Sequence, residues 1–155
     1  MDLQAVKVSL EKAGEDILPT ATLQSLPSKI YDALIIQGIR LDHVEPGRVI
    51  CSMRVPPRLL STGNFLHGGA ASSLVDILGS VALWSIGRPN SGVSLEINLS
   101  HVDAAHADEE IEIEAKVLRV GKAIGVVAVE LRKKQSGKII AHGRHTKYLA
   151  ASSKL

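Results

Sequence analysis

The sequence predicts an α+β fold in which an antiparallel sheet wraps one long central helix. Residues from His67 to about Ile86 lack strand alternation. They place Ala70, Leu74, Ile77 or Leu78, Val81 and Trp84 or Ser85 at helical spacings, closed by Gly87 and Pro89. This helix is apolar nearly all round, which requires burial. Two strand-like runs precede it and four follow it, the composition of a sheet able to cover it.

In chain order, Leu3, Val6, Val8, Leu10 and Ala13 lie among charges and predict a short helix over 2–14, ending at Gly14. Leu18 to Pro27 is rich in Thr, Ser and Pro and reads as a linker, and Ser28 to Gln37 reads as another short helix. Ile39 to Glu45 and Arg48 to Val55 flank the turn dipeptide Pro46-Gly47 and predict an antiparallel hairpin, stopped by Pro56 and Pro57. After the long helix come strands at Val93 to His101, Glu109 to Val120, Ala123 to Lys133 and Lys138 to Leu149. In Glu110-Ile111-Glu112-Ile113-Glu114-Ala115 the alternation is explicit and puts three carboxylates on one face, a solvated face rather than a metal site. The expected organisation is a helical extension over 1–38, one domain over 39–150 and a tail over 151–155.

The chain has 155 residues, enough for one domain with a real core, and that core must be mostly aliphatic because only 3% of residues are aromatic. Its 18 basic and 16 acidic residues are dispersed, which argues against nucleic acid as a partner. No apolar run reaches the length of a signal peptide core or a membrane span, so neither secretion nor a membrane anchor is expected. The single cysteine, Cys51, has no partner for an internal disulfide and sits in a strand-like run, as a buried free thiol would. The last three residues, Ser153-Lys154-Leu155, match the peroxisomal address read by the import receptor of a eukaryote.

The chemistry is concentrated where Asn64-Phe65-Leu66-His67-Gly68-Gly69 opens the long helix and Asp76 stands alone inside it. Gly68 and Gly69 lack side chains, so a carbonyl can approach their N–H groups, which at a helix start are unpaired and carry the positive end of the dipole. That arrangement can hold an oxyanion. His67 either donates toward the same carbonyl and its leaving group or caps the helix. Asp76 follows His67 by nine residues, a rise of about 13.5 Å and about half a turn on a regular helix. One helix therefore cannot bring both to one carbon, and a reaction using both needs two copies of the chain. An isolated carboxylate in an apolar helix is costly unless solvated or partnered, so a structural ion pair is the alternative for Asp76.

The order of elements resembles the hotdog architecture. With it, Leu66-His67-Gly68-Gly69, Leu74-Val75-Asp76, Gly92-Val93-Ser94 before a strand containing Asn98, Gly121-Lys122 and Gly143-Arg144-His145-Thr146-Lys147 resemble the hotdog acyl-CoA thioesterases. The branch is the one that includes the mammalian thioesterase-superfamily type and the bacterial phenylacetate-pathway and 4-hydroxybenzoyl-CoA enzymes. The resemblance covers about Ile39 to Leu149. It implies hydrolysis of acyl-CoA to free acid and CoA with no metal or redox cofactor, in a site shared by two subunits, with assembly into a homodimer and commonly a homotetramer. It implies that Asp76 activates water or attacks the thioester itself, and that Ser94 helps to hold the water or the acid.

The branch carries an asparagine six residues before the histidine, where this chain has Ser61. Asn64 is a candidate to take over that place. Lys122, with Arg144, His145 and Lys147, offers cations for CoA phosphates, or else a solvated edge. Leu74, Leu78 and Val81 are candidate neighbours of the acyl chain. His101, His106, His142 and His145 lack the spacing and acidic or thiol company of a zinc site. Medium- to long-chain fatty acyl-CoA is the expected substrate; an aromatic acyl-CoA, of naphthoyl or benzoyl type, and a non-catalytic acyl-CoA-binding module are the alternatives. An enoyl-CoA hydratase would need an Asp/His pair in a motif that is not found.

Overall fold

A computed structural model describes residues 2–15, 18–88 and 92–149; Ser153, Lys154 and Leu155 lie outside the described residues. The chain divides into two units, 1–31 and 32–155. The first contains α1 (Leu3–Glu15) and α2 (Thr20–Ser25). Asp2 opens α1 as a cap, its carboxylate accepting from the N–H groups of Gln4 and Ala5 at 3.0 and 3.3 Å. A helix also forms in α2, where a linker was expected. Pro19, with φ of −54°, offers its carbonyl to the N–H groups of Thr22 and Leu23 at 2.9 and 3.2 Å, so proline starts the turn instead of breaking it.

The second unit takes in most of α3 (Tyr31–Ile36), ahead of the expected boundary at 38. Ile35 enters the core, and the Arg58 guanidinium donates to the carbonyls of Leu34, at 2.7 Å, and of Gln37. The sheet consists of β1 (Arg40–Glu45), β2 (Arg48–Arg54), β3 (Val93–His101), β4 (Glu110–Val120), β5 (Ile124–Lys133) and β6 (Ile139–Tyr148). Their spatial order is β1-β2-β4-β5-β6-β3, antiparallel throughout. Gly47 closes the first hairpin with φ of +82°, a left-handed conformation that glycine adopts without a Cβ clash.

Alternation on β4 buries Ile111, Ile113 and Ala115 and turns Glu110, Glu112 and Glu114 to the other face. Those carboxylates are not merely solvated. Arg48 meets Glu114 at 2.6 Å, Arg132 meets Glu114 at 2.8 Å and Arg40 pairs with Glu110, so adjacent strands neutralise the row.

Across the opposite face lies α4 (Gly68–Trp84), which buries Ala70, Ala71, Leu74, Val75, Leu78, Gly79, Ala82 and Leu83. The helix is not covered all round by its own sheet. Asp76, Ile77, Ser80 and Val81 are half-buried and Trp84 is 52% exposed, forming a stripe along its outer side. At the sheet's edge, β3 likewise exposes Val93, Leu95 and Ile97.

Candidate active site at the start and the middle of one helix

At its start, α4 is capped by its own histidine. The backbone of His67 is extended and its Nδ1 accepts the Gly69 N–H at 2.8 Å. This bond assigns the imidazole proton to Nε2, leaving a donor free to point outward. The capping and chemical readings of His67 thus coexist. They also separate the two glycines. Gly69 has spent its N–H on the cap, and a Cβ on it would lie 3.0 Å from that Nδ1, so packing requires glycine there. The expectation that both amides stay unpaired is corrected to Gly68 alone. A Cβ on Gly68 would meet nothing nearer than His101 Nε2 at 3.5 Å, an ordinary contact. The fold itself does not demand glycine at 68, and the space before its N–H stays open.

Beside Gly68 a hollow of about 360 Å³ is walled by Phe65, Leu66, Ala71, His101, Ala104 and Ile140. Neither Ser61 nor Asn64 lines it. Ser61 Oγ accepts the Gly63 N–H at 3.2 Å, and its own N–H donates to the Phe65 carbonyl at 2.8 Å. Asn64 sits at φ of +60°, the left-handed position that asparagine tolerates better than most residues. Both are turn formers shaping the approach to His67.

Two turns along, Asp76 projects from the outer stripe of α4 with its side chain 49% exposed. Ser94 Oγ donates to Asp76 Oδ1 at 3.3 Å and lies 2.8 Å from Nε2 of His145. His145 Nε2 is itself 3.4 Å from the same carboxylate oxygen. Ser94 Oγ thus bridges the Asp76 carboxylate, which can only accept, and Nε2 of His145. One oxygen of the acid is fixed while the group keeps access to solvent.

The His145 side chain is 0% exposed, and its ring occupies the place where a Cβ on Gly79 would stand, 2.7 Å from Nδ1. Gly79 in mid-helix is explained by that ring. Burial, and then the Lys147 cation, push the imidazole below its ordinary value; Asp76 opposes them. His145 is therefore neutral at neutral pH.

Lys147 does not join Arg144 in a phosphate cluster. Consecutive strand residues face opposite sides of the sheet, and on β6 His145 and Lys147 are buried toward α4 while Arg144 faces outward. Lys147 donates to Ser80 Oγ at 2.7 Å, and burial pushes its pKa down against the opposing pull of Asp76. Asp76, Ile77, Ser80, Trp84, Val93 and Lys147 share an open cleft of about 520 Å³. Lys122 is exposed in the β4–β5 turn, and Arg144 lines a hollow on the outer face of the sheet. Neither lines the cleft or the hollow beside Gly68.

Leu74 is corrected too: at 0% exposure it belongs to the core, as does Leu78. Val81 is partly buried, and Ile77 and Trp84, among the cleft's lining residues, are the apolar side chains that α4 presents there. Sequence reasoning noted His101 only as unsuited to zinc, and placed His145 in a cationic cluster for CoA phosphates. Gly79 inside a helix and the parity of β6 were the signals that could have placed His145 inside.

A six-stranded antiparallel sheet laid on one long helix, with glycine at the helix start and a carboxylate two turns on, is the hotdog fold of thioesterases. The family described as "Thioesterase superfamily" matches residues 63–140. Human acyl-coenzyme A thioesterase 13 is 39% identical over 115 residues, covering 74% of this chain and 82% of that one. The crystal structure of zebrafish thioesterase superfamily member 2 superposes with a TM-score of 0.73 at 32% identity, over 86% of this chain and 100% of that one. A Streptococcus pneumoniae TIGR4 thioesterase protein solved with coenzyme A shares the fold, with a TM-score of 0.72 at 20% identity over 78% of this chain and 93% of that one. The chain belongs to the thioesterase superfamily and is a thioester hydrolase.

Proposed function

We propose that the protein hydrolyses medium- to long-chain fatty acyl-CoA to free acid and CoA in a site that two copies of the chain build together. The observation that carries this reading is the separation of the two halves of the chemistry on α4. Gly68 and Asp76 lie about 12 Å apart along the axis at 1.5 Å per residue and open into different hollows. A second copy resolves the separation, because β3 is a free sheet edge with apolar Val93, Leu95 and Ile97 exposed, ready to pair with another strand. Pairing of such dimers into a homotetramer is part of the same proposal.

In this reading Asp76 of one subunit takes a proton from water as the water oxygen attacks the thioester carbon. The Gly68 N–H of the other subunit receives the charge developing on the carbonyl oxygen. The C–S bond then breaks, and the thiolate of CoA takes up a proton, with the His67 Nε2–H placed to donate toward the sulfur. Ser94 and His145 hold Asp76 in one orientation. The acyl chain runs along Ile77, Trp84 and Val93, whose open apolar surface favours a flexible aliphatic group. Lys122 and Arg144, both exposed, remain the proposed cations for the CoA phosphates. No step calls for a metal or redox group.

The test is release of CoA thiol by the purified protein across short, medium and long aliphatic acyl-CoAs and aromatic acyl-CoAs, with Asp76→Asn alongside. Rapid, Asp76-dependent release that rises with chain length is expected. Binding without release overturns the enzymatic reading, and a preference for aromatic thioesters overturns the substrate. The proposal extends to the peroxisome and its import receptor on the strength of Ser153-Lys154-Leu155. A fluorescent fusion ending in this tail is expected in peroxisomes, and diffuse fluorescence would refute the address.

A further inference from the structure

We propose that His101 is a catalytic residue of this hydrolase: its Nε2–H is the second donor, beside the Gly68 N–H, to the thioester oxygen that becomes negative in the transition state. The inference rests on the acyl-CoA hydrolysis proposed above and adds to it a residue that the reading did not use.

His101 ends β3 opposite Ala141 of β6, in the same alternation as Leu99 and Ile97, which pair with Gly143 and His145. Strand parity thus turns His101 toward the face that carries α4. Because β3 runs antiparallel to α4, it supplies one polar group to the middle of the helix and one to its start: Ser94 to Asp76, and His101 to Gly68. The imidazole reaches the helix start. A single carbon added to Gly68 would lie 3.5 Å from Nε2 and 3.7 Å from Cε1. The imidazole edge therefore borders the space beside Gly68, on the hollow that both residues line.

The imidazole of His101 makes no hydrogen bond to another described residue, unlike those of His67 and His145, whose ring nitrogens are engaged locally. The hollow it borders is mostly apolar, walled by Phe65, Leu66, Ala71, Ala104 and Ile140; the one carboxylate among its lining residues, Asp103, is paired with Lys138 at 3.0 Å. Ser61 and Asn64 do not line the hollow, so neither is placed to give the second bond. Two converging donors hold a developing oxyanion better than one, and loss of one such donor in a water-excluded site costs on the order of 10²-fold in kcat.

The experiment compares His101→Phe, which keeps the ring and removes the donor, with His101→Gln, whose amide nitrogen falls near the place of Nε2. Kinetics are measured with the acyl-CoA that the wild-type protein hydrolyses best. Affinity for the same compound is measured in the Asp76→Asn background, where it is not consumed. His101→Phe is expected to lower kcat on the order of 10²-fold and His101→Gln to recover most of that loss, with affinity unchanged within about twofold. The thioester carbonyl stretch of the bound substrate, read by difference infrared spectroscopy in the Asp76→Asn background, is expected to rise when phenylalanine replaces His101. A purely structural role would not move it. Wild-type kcat in His101→Phe, or a loss confined to affinity, overturns the role of His101 while leaving Asp76-dependent hydrolysis standing. Absence of Asp76-dependent hydrolysis in the wild-type protein overturns both.

Discussion

The start and the middle of α4 solve their tasks with different materials. At the start, the working group is a backbone amide, and what the fold supplies is emptiness: Gly68 has no side chain, and nothing in the protein approaches its Cβ position more closely than 3.5 Å. Two turns on, the working group is a carboxylate, and what the fold supplies is company. Ser94 and the buried His145 fix one oxygen of Asp76, and glycine at 79 makes room for the imidazole. A backbone donor is already oriented by its helix and needs only access, whereas an acid on a rotatable side chain needs partners that lock it. The contrast extends to glycine itself. Gly68 is small on behalf of a ligand, Gly69 on behalf of the His67 cap, and Gly79 on behalf of the core.

The comparison breaks most visibly at Asp76. Asp76→Asn keeps the volume and the acceptor for Ser94 but removes the base; hydrolysis is expected to fall on the order of 10³-fold with the melting temperature nearly unchanged. Steady-state CoA release and a thermal melt check both halves. Next come paired alanine substitutions. Gly68→Ala is expected to fold normally yet lose on the order of 10²-fold in kcat, because the methyl occupies the substrate's space. Gly79→Ala is expected to do the reverse. Its Cβ would stand 2.7 Å from His145 Nδ1; an overpacking cost of about 1–3 kcal/mol, less the roughly 1 kcal/mol that alanine adds to helix propensity, leaves a net destabilisation of up to about 2 kcal/mol. Denaturant midpoints and kcat measured on both variants distinguish the two kinds of glycine.

A smaller effect concerns pH. Burial, then Lys147, hold the His145 imidazole below its ordinary value near 6.5, so the unfolded chain binds a proton that the folded chain resists. The folded state keeps its full advantage above about pH 6.5 and loses it as pH falls toward the depressed folded value. Melting temperatures recorded from pH 7.5 to 5 are expected to fall more steeply for the wild type than for His145→Gln; parallel curves would remove the buried-neutral assignment. The smallest expected signal is at Cys51, where burial raises the thiol to about 11. A disulfide reagent at pH 8 is expected to find no thiol in the native protein and one after denaturation.

Much of this architecture was legible in the sequence because local rules governed it. Pro46-Gly47 marked the first hairpin, Glu110 to Ala115 displayed the two faces of β4, and one long stretch at helical spacing could only be α4. The candidate site was legible where it is contiguous, in His67, Gly68 and Asp76. It was illegible where strands supply it. His145 meets Ser94 across 51 residues of chain, and alternation on β6 sends Arg144 outward and Lys147 inward although they are near neighbours in sequence. Leu74 was misassigned because a helix apolar on every side gives little sign of which apolar residues face the sheet and which face the cleft. Thr20 to Ser25 looked like linker, yet Pro19 pre-sets a helical start that composition alone conceals.

The claim that the start and the middle of α4 act together only across subunits has a direct test by complementation. Asp76→Asn and Gly68→Val chains, each inactive alone, are co-expressed with different tags. Random pairing makes half the dimers mixed, and each mixed dimer holds one site with both lesions and one with neither. Activity returning to about a quarter of wild type, residing in the doubly tagged fraction, is the expected result. A mixed fraction as inactive as either parent would contradict the shared site and return both groups to a single chain.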